Sequence, residues 1–145
     1  MERIAQITRN TNETQIKMTL NLDGSGKANI HTGIGFFDHM LNSFARHGFF
    51  DLDLQVNGDL EVDTHHTIED TGIVLGQAIR QAVGDKKGSC RYGSQILPMD
   101  EALVICALDR CRRPYLVYDL NLDREKVGNL ETEMVREFFY AVSYG

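Results

Sequence analysis

Residues 65–84 read HHTIEDTGIVLGQAIRQAVG, and their apolar residues recur at helical spacing. The apolar stripe consists of Ile68, Gly72, Leu75, Gly76, Ile79 and Val83. Such a stripe predicts a long helix with one buried face, and Asp63 or Thr64 can cap its start. Because glycine lowers helix propensity, Gly72 and Gly76 indicate that another element packs closely against this face.

The segments around this helix show a different period. Residues 13–22 alternate strictly between apolar and polar side chains, which predicts a half-buried strand. Further strands are predicted over residues 27–31, 50–56, 103–108 and 115–120, and further helices over residues 36–47 and 130–143. Gly48 is expected to stop the first of these helices at the position that favours a left-handed backbone. Helices that alternate with strand pairs in this way predict an α+β protein with helices layered on sheets.

The composition excludes several classes of protein. The chain has 145 residues, of which 42% are hydrophobic and 25% charged, as in an ordinary globular domain. We expect neither a membrane span nor a secretory leader. The net charge of −6 argues against a general nucleic-acid binder. Three cysteines without CxxC spacing exclude a disulfide scaffold, and they are typical of reduced thiols in the cytoplasm.

The element order also suggests a weak internal repeat. Asn12 and Glu13 open a strand pair that leads to the helix at 36–47, and Asp100 and Glu101 open a strand pair that leads to the helix at 130–143. The second copy reaches Gly145 before any match to the strand and His-rich helix of the first copy.

The helix start at residues 65–70, HHTIED, is the strongest candidate for chemistry. His65 and Glu69 are four residues apart, and His66 and Glu69 are three apart, so both pairs can share one side of a helix. Imidazole and carboxylate together bind divalent metals. Adjacent histidines point about 100° apart, so they suit two metals, or one metal and a substrate. A solvated polar helix start explains the same residues equally well.

Four other residues are weaker candidates when each is taken alone. His39 lies among core-facing residues, where a partly buried histidine is the more common explanation. Glu13 stands at a strand start and would ordinarily be a surface carboxylate. Arg91 and Arg113 stand at predicted strand entries, where each can clamp a phosphate by two hydrogen bonds or remain solvated.

Taken together, the motifs resemble the imidazoleglycerol-phosphate dehydratases, enzymes of histidine biosynthesis. The matching segments are RNTNET at 9–14, TGIGFFDHML at 32–41, HHTIED at 65–70, RYG at 91–93, PMDEA at 98–102, RPY at 113–115 and TEMV at 132–135. Their order and spacing match along the whole chain.

The resemblance implies a fold, an assembly and a cofactor. The fold is a duplicated α+β half-domain, with helices packed on one face of four-stranded sheets, as in the ribosomal protein S5 domain 2-like fold. Residues 1–145 would form a single dehydratase domain, with a first half at 1–93 and an incomplete second half at 94–145. The assembly would be a homo-oligomer of 24 subunits with two manganese ions per site, held between subunits. Ligand types alone do not select manganese over zinc, iron or nickel.

The resemblance also assigns roles to individual residues. The implied metal ligands are His39, His65, His66, Glu69 and Glu137. Glu13 would contact the substrate, and Arg91 and Arg113 would hold the substrate phosphate. Glu13 is also our candidate for the carboxylate that acts as general base or acid, although the sequence does not identify which carboxylate transfers the proton. Arg112 stands where relatives commonly have glycine, which puts the shape of that turn in question.

This chain differs from the family in one respect, and two other functions are alternatives to the dehydratase. Family members continue beyond the equivalent of Gly145 with a second His-His-x-x-Glu helix and a phosphate-binding lysine, so we expect this chain to be truncated relative to them. The sequence at His66–Asp70 is one residue away from the HxxEH pattern of a zinc hydrolase. A non-catalytic protein whose assembly is clamped by metal is the other alternative. It predicts metal-dependent oligomers without turnover.

Overall fold

The computed structural model describes residues 2–145, and its elements fall into two compact units. One unit runs to Gly84 and resumes over Tyr115–Gly145, and the other is Asp85–Pro114. In chain order the elements are β1 (Ile4–Asn10), β2 (Thr14–Asn21), β3 (Ala28–His31), α1 (Gly35–Gly48), β4 (Asp51–Gly58), α2 (His65–Val83), β5 (Tyr92–Met99), β6 (Ala102–Asp109), β7 (Lys126–Val127), β8 (Leu130–Glu131) and α3 (Met134–Tyr144).

The larger unit is built on a four-stranded sheet in the order β1-β2-β4-β3. The β1–β2 and β2–β4 pairs are antiparallel, whereas β3 runs parallel to β4. The alternation in residues 13–22 predicts β2 correctly, since every second residue from Thr14 to Leu20 is buried. This sheet, with its helices, confirms the α+β class.

Helices α1 and α2 cover one face of the sheet. Phe37, Leu41 and Ala45 of α1 are buried, and they join Leu52 and Leu54 of β4 in a continuous apolar core. The opposite face of the sheet carries exposed polar residues. β2 and β4 therefore each have one apolar and one polar side, as expected of a sheet covered on one face only.

The two glycines of the α2 stripe lie where α3 crosses it. A Cβ atom on Gly72 would come within 2.8 Å of the Ala141 Cβ and 2.9 Å of the Phe138 carbonyl oxygen. One on Gly76 would come within 2.5 Å of the Val142 carbonyl oxygen. The close packing predicted from these glycines is therefore confirmed, and α3 is the element responsible.

The smaller unit contains the antiparallel pair β5–β6, whose turn lies at Asp100 and Glu101. The strands predicted from 13–22 and 27–31 do not pair with each other, because β4 lies between β2 and β3. Large apolar side chains on β5 and β6 are exposed, among them Ile96, Leu97 and Ile105. The proposed half boundary at residue 93 stays a prediction.

Several predicted elements differ from the structure. The strand predicted over 115–120 is wrong, because the segment is irregular and pairs with no strand among residues 2–145. The last helix begins at Met134 rather than 130, since Leu130 belongs to β8. β1 and β5 were not predicted. Gly48 is the last residue of α1, and Phe49, with φ of 57°, adopts the left-handed conformation instead.

No helix within residues 2–145 is both long and apolar enough to cross a membrane.

Candidate functional site

The first turns of α2 present His65 and Glu69 side by side at the protein surface. His65 Nε2 and Glu69 Oε2 are 3.4 Å apart, and the two side chains are 43% and 42% exposed. Asp63 Oδ1 accepts a hydrogen bond of 2.8 Å from the His65 backbone N–H at the helix start. Thr64 occupies the N-cap position, but its hydroxyl donates to Glu131 and accepts no hydrogen bond from the N–H groups of the helix. The helix spacing thus brings the imidazole and the carboxylate together as predicted.

His66 faces a different partner. Its Nδ1 lies 2.7 Å from Asp59 Oδ2, in the loop between β4 and α2. The hydrogen bond to Asp59 raises the pKa of His66 against the opposing effect of burial, and the negative charges of Asp59, Glu13 and Asp63 raise it further. The Glu13 carboxylate is therefore within electrostatic reach of this imidazole.

Glu13 is exposed on the turn between β1 and β2, and a hydrogen-bond chain ties this turn to α2. Thr11 Oγ1 accepts from the backbone N–H groups of Glu13 and Thr14, at 3.2 and 3.0 Å. The Thr14 hydroxyl donates to Asp70 Oδ2, while Arg9 Nη2 donates to Asp70 Oδ1 at 3.1 Å. Asp70 is buried. The candidate base is thereby held to the helix that carries both histidines.

The other two predicted ligands lie on different helices. His39 is exposed in the first half of α1, and Glu137 is half-buried in the first turn of α3, where its carboxylate lies 3.6 Å from Arg136. Within residues 2–145, no three His, Cys, Asp or Glu side chains come together as a metal-holding group. In this part of the chain, the predicted ligands therefore form one contacting pair, His65 with Glu69, and not a closed site.

The two candidate phosphate-binding arginines belong to the smaller unit. Arg91, immediately before β5, donates from Nε and Nη2 to the two carboxylate oxygens of Asp109, at 2.7 and 3.1 Å. This hydrogen bond and charge raise the pKa of Arg91 above its already high value. Arg113 is exposed in the irregular segment after β6, so its placement at a strand entry is wrong.

Sequence reasoning did not single out Asp59, Asp70 or Asp109 for any role. Asp59 contacts His66 and Asp109 contacts Arg91, both predicted site residues. Asp70 binds the turn that carries a third predicted site residue, Glu13. These partners come from a loop, from the buried side of α2 and from the end of β6. Asp70 adjoins Glu69 in the HHTIED motif, and that proximity was the one available signal.

Comparison with known proteins places these features in a family. The family model described as imidazoleglycerol-phosphate dehydratase matches residues 32–145. The chain belongs to the imidazoleglycerol-phosphate dehydratase family. An imidazoleglycerol-phosphate dehydratase of Acetivibrio thermocellus is 62% identical over 144 residues, which are 99% of this chain and 74% of that relative. One from Lachnoclostridium phytofermentans is 63% identical with the same coverage.

Solved structures of the dehydratase family share the fold. The crystal structure of the Staphylococcus aureus imidazoleglycerol-phosphate dehydratase has a TM-score of 0.85 at 40% identity, covering 97% of this chain and 77% of that one. The Pyrococcus furiosus enzyme, in complex with (S)-C348, has a TM-score of 0.81 at 33% identity, covering 96% and 73%. The family resemblance and the α+β half-domain architecture are confirmed, and the chain is a hydro-lyase of a family involved in histidine biosynthesis.

Proposed function

We propose that this protein catalyses the metal-dependent dehydration of imidazoleglycerol phosphate to imidazole-acetol phosphate. The observation that carries the proposal is the arrangement at the start of α2. His65 and Glu69 share one exposed side, His66 stands next to them, and Glu13 lies within electrostatic reach of His66. An imidazole-bearing substrate, a divalent metal and an acid–base group can meet on this surface.

The chain's own residues supply the proton transfer and the positioning. The reaction removes a proton from one carbon and a hydroxyl group from its neighbour, and the resulting enol becomes the ketone. Glu13, exposed and anchored through Thr11, is the group we propose to accept the proton. Arg91 and Arg113 would bind the substrate phosphate and so position the substrate.

The donor set of α2 fits a divalent first-row metal, for which we propose Mn²⁺ with two ions per complete site. His65, His66 and Glu69 offer imidazole nitrogen and carboxylate oxygen from one exposed helix turn, and carboxylate suits manganese. His39 and Glu137 are the further ligands in this proposal. The bound metal would act as a Lewis acid and as a template for the imidazole ring of the substrate.

We propose that the complete site lies between copies of the chain in a homo-oligomer of 24 subunits. Two observations support an assembly. The ligands within residues 2–145 are distributed over three helices without forming a group of three, and the apolar side chains of β5 and β6 are exposed. We also propose a cytoplasmic location, which the three free thiols favour.

The test is Mn²⁺-dependent turnover of imidazoleglycerol phosphate by the purified protein. We expect chelation to abolish turnover and Mn²⁺ to restore it. His66→Ala should remove activity, whereas His31→Ala, which changes an exposed histidine bonded only to Asn29, should retain it. Glu13→Gln should lose turnover and keep metal binding.

Three results would contradict the proposal. Turnover that survives both chelation and His66→Ala would exclude the metal role. Metal-dependent oligomers without turnover would favour a non-catalytic assembly protein, and zinc-dependent peptide cleavage would favour the hydrolase alternative.

A further inference from the structure

We infer that Asp59 is a positioning residue for His66: it fixes the proton on Nδ1 and so directs the Nε2 lone pair of His66 toward a metal ion. This inference deepens the proposed function and rests on it for the identity of the metal.

The contact between the two side chains has the geometry of a charge-assisted hydrogen bond. His66 Nδ1 and Asp59 Oδ2 are 2.7 Å apart, which is short for a nitrogen–oxygen pair. Asp59 is 15% exposed and His66 44%. The carboxylate is thus mostly enclosed, while the imidazole extends from it toward solvent.

The chemistry of the pair determines the tautomer. An ionised carboxylate only accepts hydrogen bonds, so the Nδ1 of His66 must carry the donated proton. In the neutral ring the lone pair is then on Nε2, which accepts no hydrogen bond within residues 2–145. Carboxylates that bind the far nitrogen of a metal-ligating histidine fix its orientation and raise its basicity.

The backbone holds Asp59 firmly in place. Its carbonyl oxygen accepts a hydrogen bond of 2.8 Å from the Val62 N–H, which closes a tight turn. On its other side, Gly58 lies so close to α2 that an added Cβ would fall 2.0 Å from Thr67 Oγ1. The end of β4 is therefore packed directly against the first turn of α2, and the carboxylate has little freedom to follow a displaced imidazole.

The neighbouring histidine lacks such a device. His65 directs its Nε2 toward Glu69, itself a candidate ligand, and both side chains are more than two-fifths exposed. Asp59 therefore orients His66 and not the adjacent His65. Removing Asp59 should weaken the metal position at His66 rather than the one at His65.

The experiment measures Mn²⁺ affinity by titration calorimetry for the wild type, Asp59→Ala and Asp59→Asn. We expect Asp59→Ala to weaken one class of Mn²⁺ site by about 10–100-fold. Asp59→Asn keeps an oxygen acceptor and should lose less. Asp53→Ala removes an exposed carboxylate from β4, the strand that precedes Asp59. In the part of the chain that the structure describes, Asp53 accepts a hydrogen bond from Asn29 alone, and its removal should leave the affinity unchanged.

A second readout is independent of metal and of activity. In the metal-free protein, side-chain ¹⁵N chemical shifts should show His66 with its proton on Nδ1, and Asp59→Ala should move that proton largely to Nε2, the form favoured by free imidazole side chains. Circular dichroism establishes whether each variant is folded. If Asp59→Ala does not fold, Asp59→Asn provides the test.

The outcomes separate the inference from the proposed function. Unchanged Mn²⁺ affinity and an unchanged tautomer in Asp59→Ala would overturn the inference while leaving the proposed function intact. A wild type that binds no Mn²⁺ would overturn the proposed function and the metal-directing role of Asp59, even if the shifts place the His66 proton on Nδ1.

Discussion

Replacing Gly72 with alanine tests the close packing between α2 and α3. The added methyl group would meet the Ala141 Cβ at 2.8 Å and the Phe138 carbonyl oxygen at 2.9 Å. A backbone oxygen cannot rotate away as a side chain can, so α3 has to shift. Overpacking of this kind costs about 1–3 kcal/mol, and the backbone contact favours the upper end. Alanine recovers about 1 kcal/mol of helix propensity.

The net expectation for Gly72→Ala is a loss of about 2 kcal/mol in the free energy of unfolding. For a domain of this size, that loss lowers the Tm by roughly 4–8 °C. Urea unfolding followed by circular dichroism measures the free energy, and calorimetry measures the Tm. The matched control is Gly35→Ala, because no atom lies within 4 Å of the Cβ position at Gly35. That variant should be neutral or stabilised by up to about 1 kcal/mol.

Gly72→Ala proteins as stable as the wild type would refute this reasoning. Such a result would mean that α3 lies farther from α2 in solution, or that it is displaced without cost. Equal losses in Gly72→Ala and Gly35→Ala would also refute it, because the loss would then come from removing glycine and not from the helix contact.

Three other predictions concern carboxylates. Asp70→Ala leaves the part-buried guanidinium of Arg9 without its partner. Because Arg9 is about one-third exposed, we expect the free energy of unfolding to fall by about 2 kcal/mol, less than for a fully buried pair. An unchanged urea midpoint would contradict this. Two backbone N–H groups lower the pKa of Asp51. The ionised Asp51 carboxylate therefore stabilises the folded protein above the ordinary carboxyl pKa, and this stabilisation is lost as the pH falls through the lower folded-state pKa. Asp51→Ala should therefore flatten the decline of Tm between about pH 5 and pH 3. A decline as steep as in the wild type would exclude this role. Asp109→Ala removes the carboxylate that holds the Arg91 guanidinium in place. The KM for the phosphorylated substrate should rise about tenfold, a change of about 1.4 kcal/mol, with little change in kcat. Steady-state kinetics with an unchanged KM would contradict this prediction.

The parts of the fold that follow from local periodicity were predictable. The stripe of α2 and the alternation of β2 each bury one side of a single element, so the pattern is visible within about ten to twenty residues. β1 lacks this signal because it is an edge strand in which only Ala5 is fully buried. The error at residues 115–120 has the opposite origin: their apolar side chains fit a strand, but no strand of the described part of the chain pairs with them.

The candidate site was predictable only in part for a related reason. His65, His66 and Glu69 share one helix, so their spacing alone brings them together. Asp59 reaches His66 across a loop, and the Thr14–Asp70 bond joins residues separated by 56 positions. Such contacts depend on how strand ends meet helix starts, which side-chain periodicity does not encode.

The attachment of α3 through helices rather than through the sheet affects how firmly Glu137 is held. α3 packs mainly on α2 and β8, with Phe138 edge-on to Phe37 of α1 at 5.3 Å between ring centroids. Releasing it would break side-chain contacts but no hydrogen bond of the four-stranded sheet, so local opening costs less free energy than global unfolding. A ligand that binds both Glu137 and α2 would therefore stabilise the packing of α3 against α2.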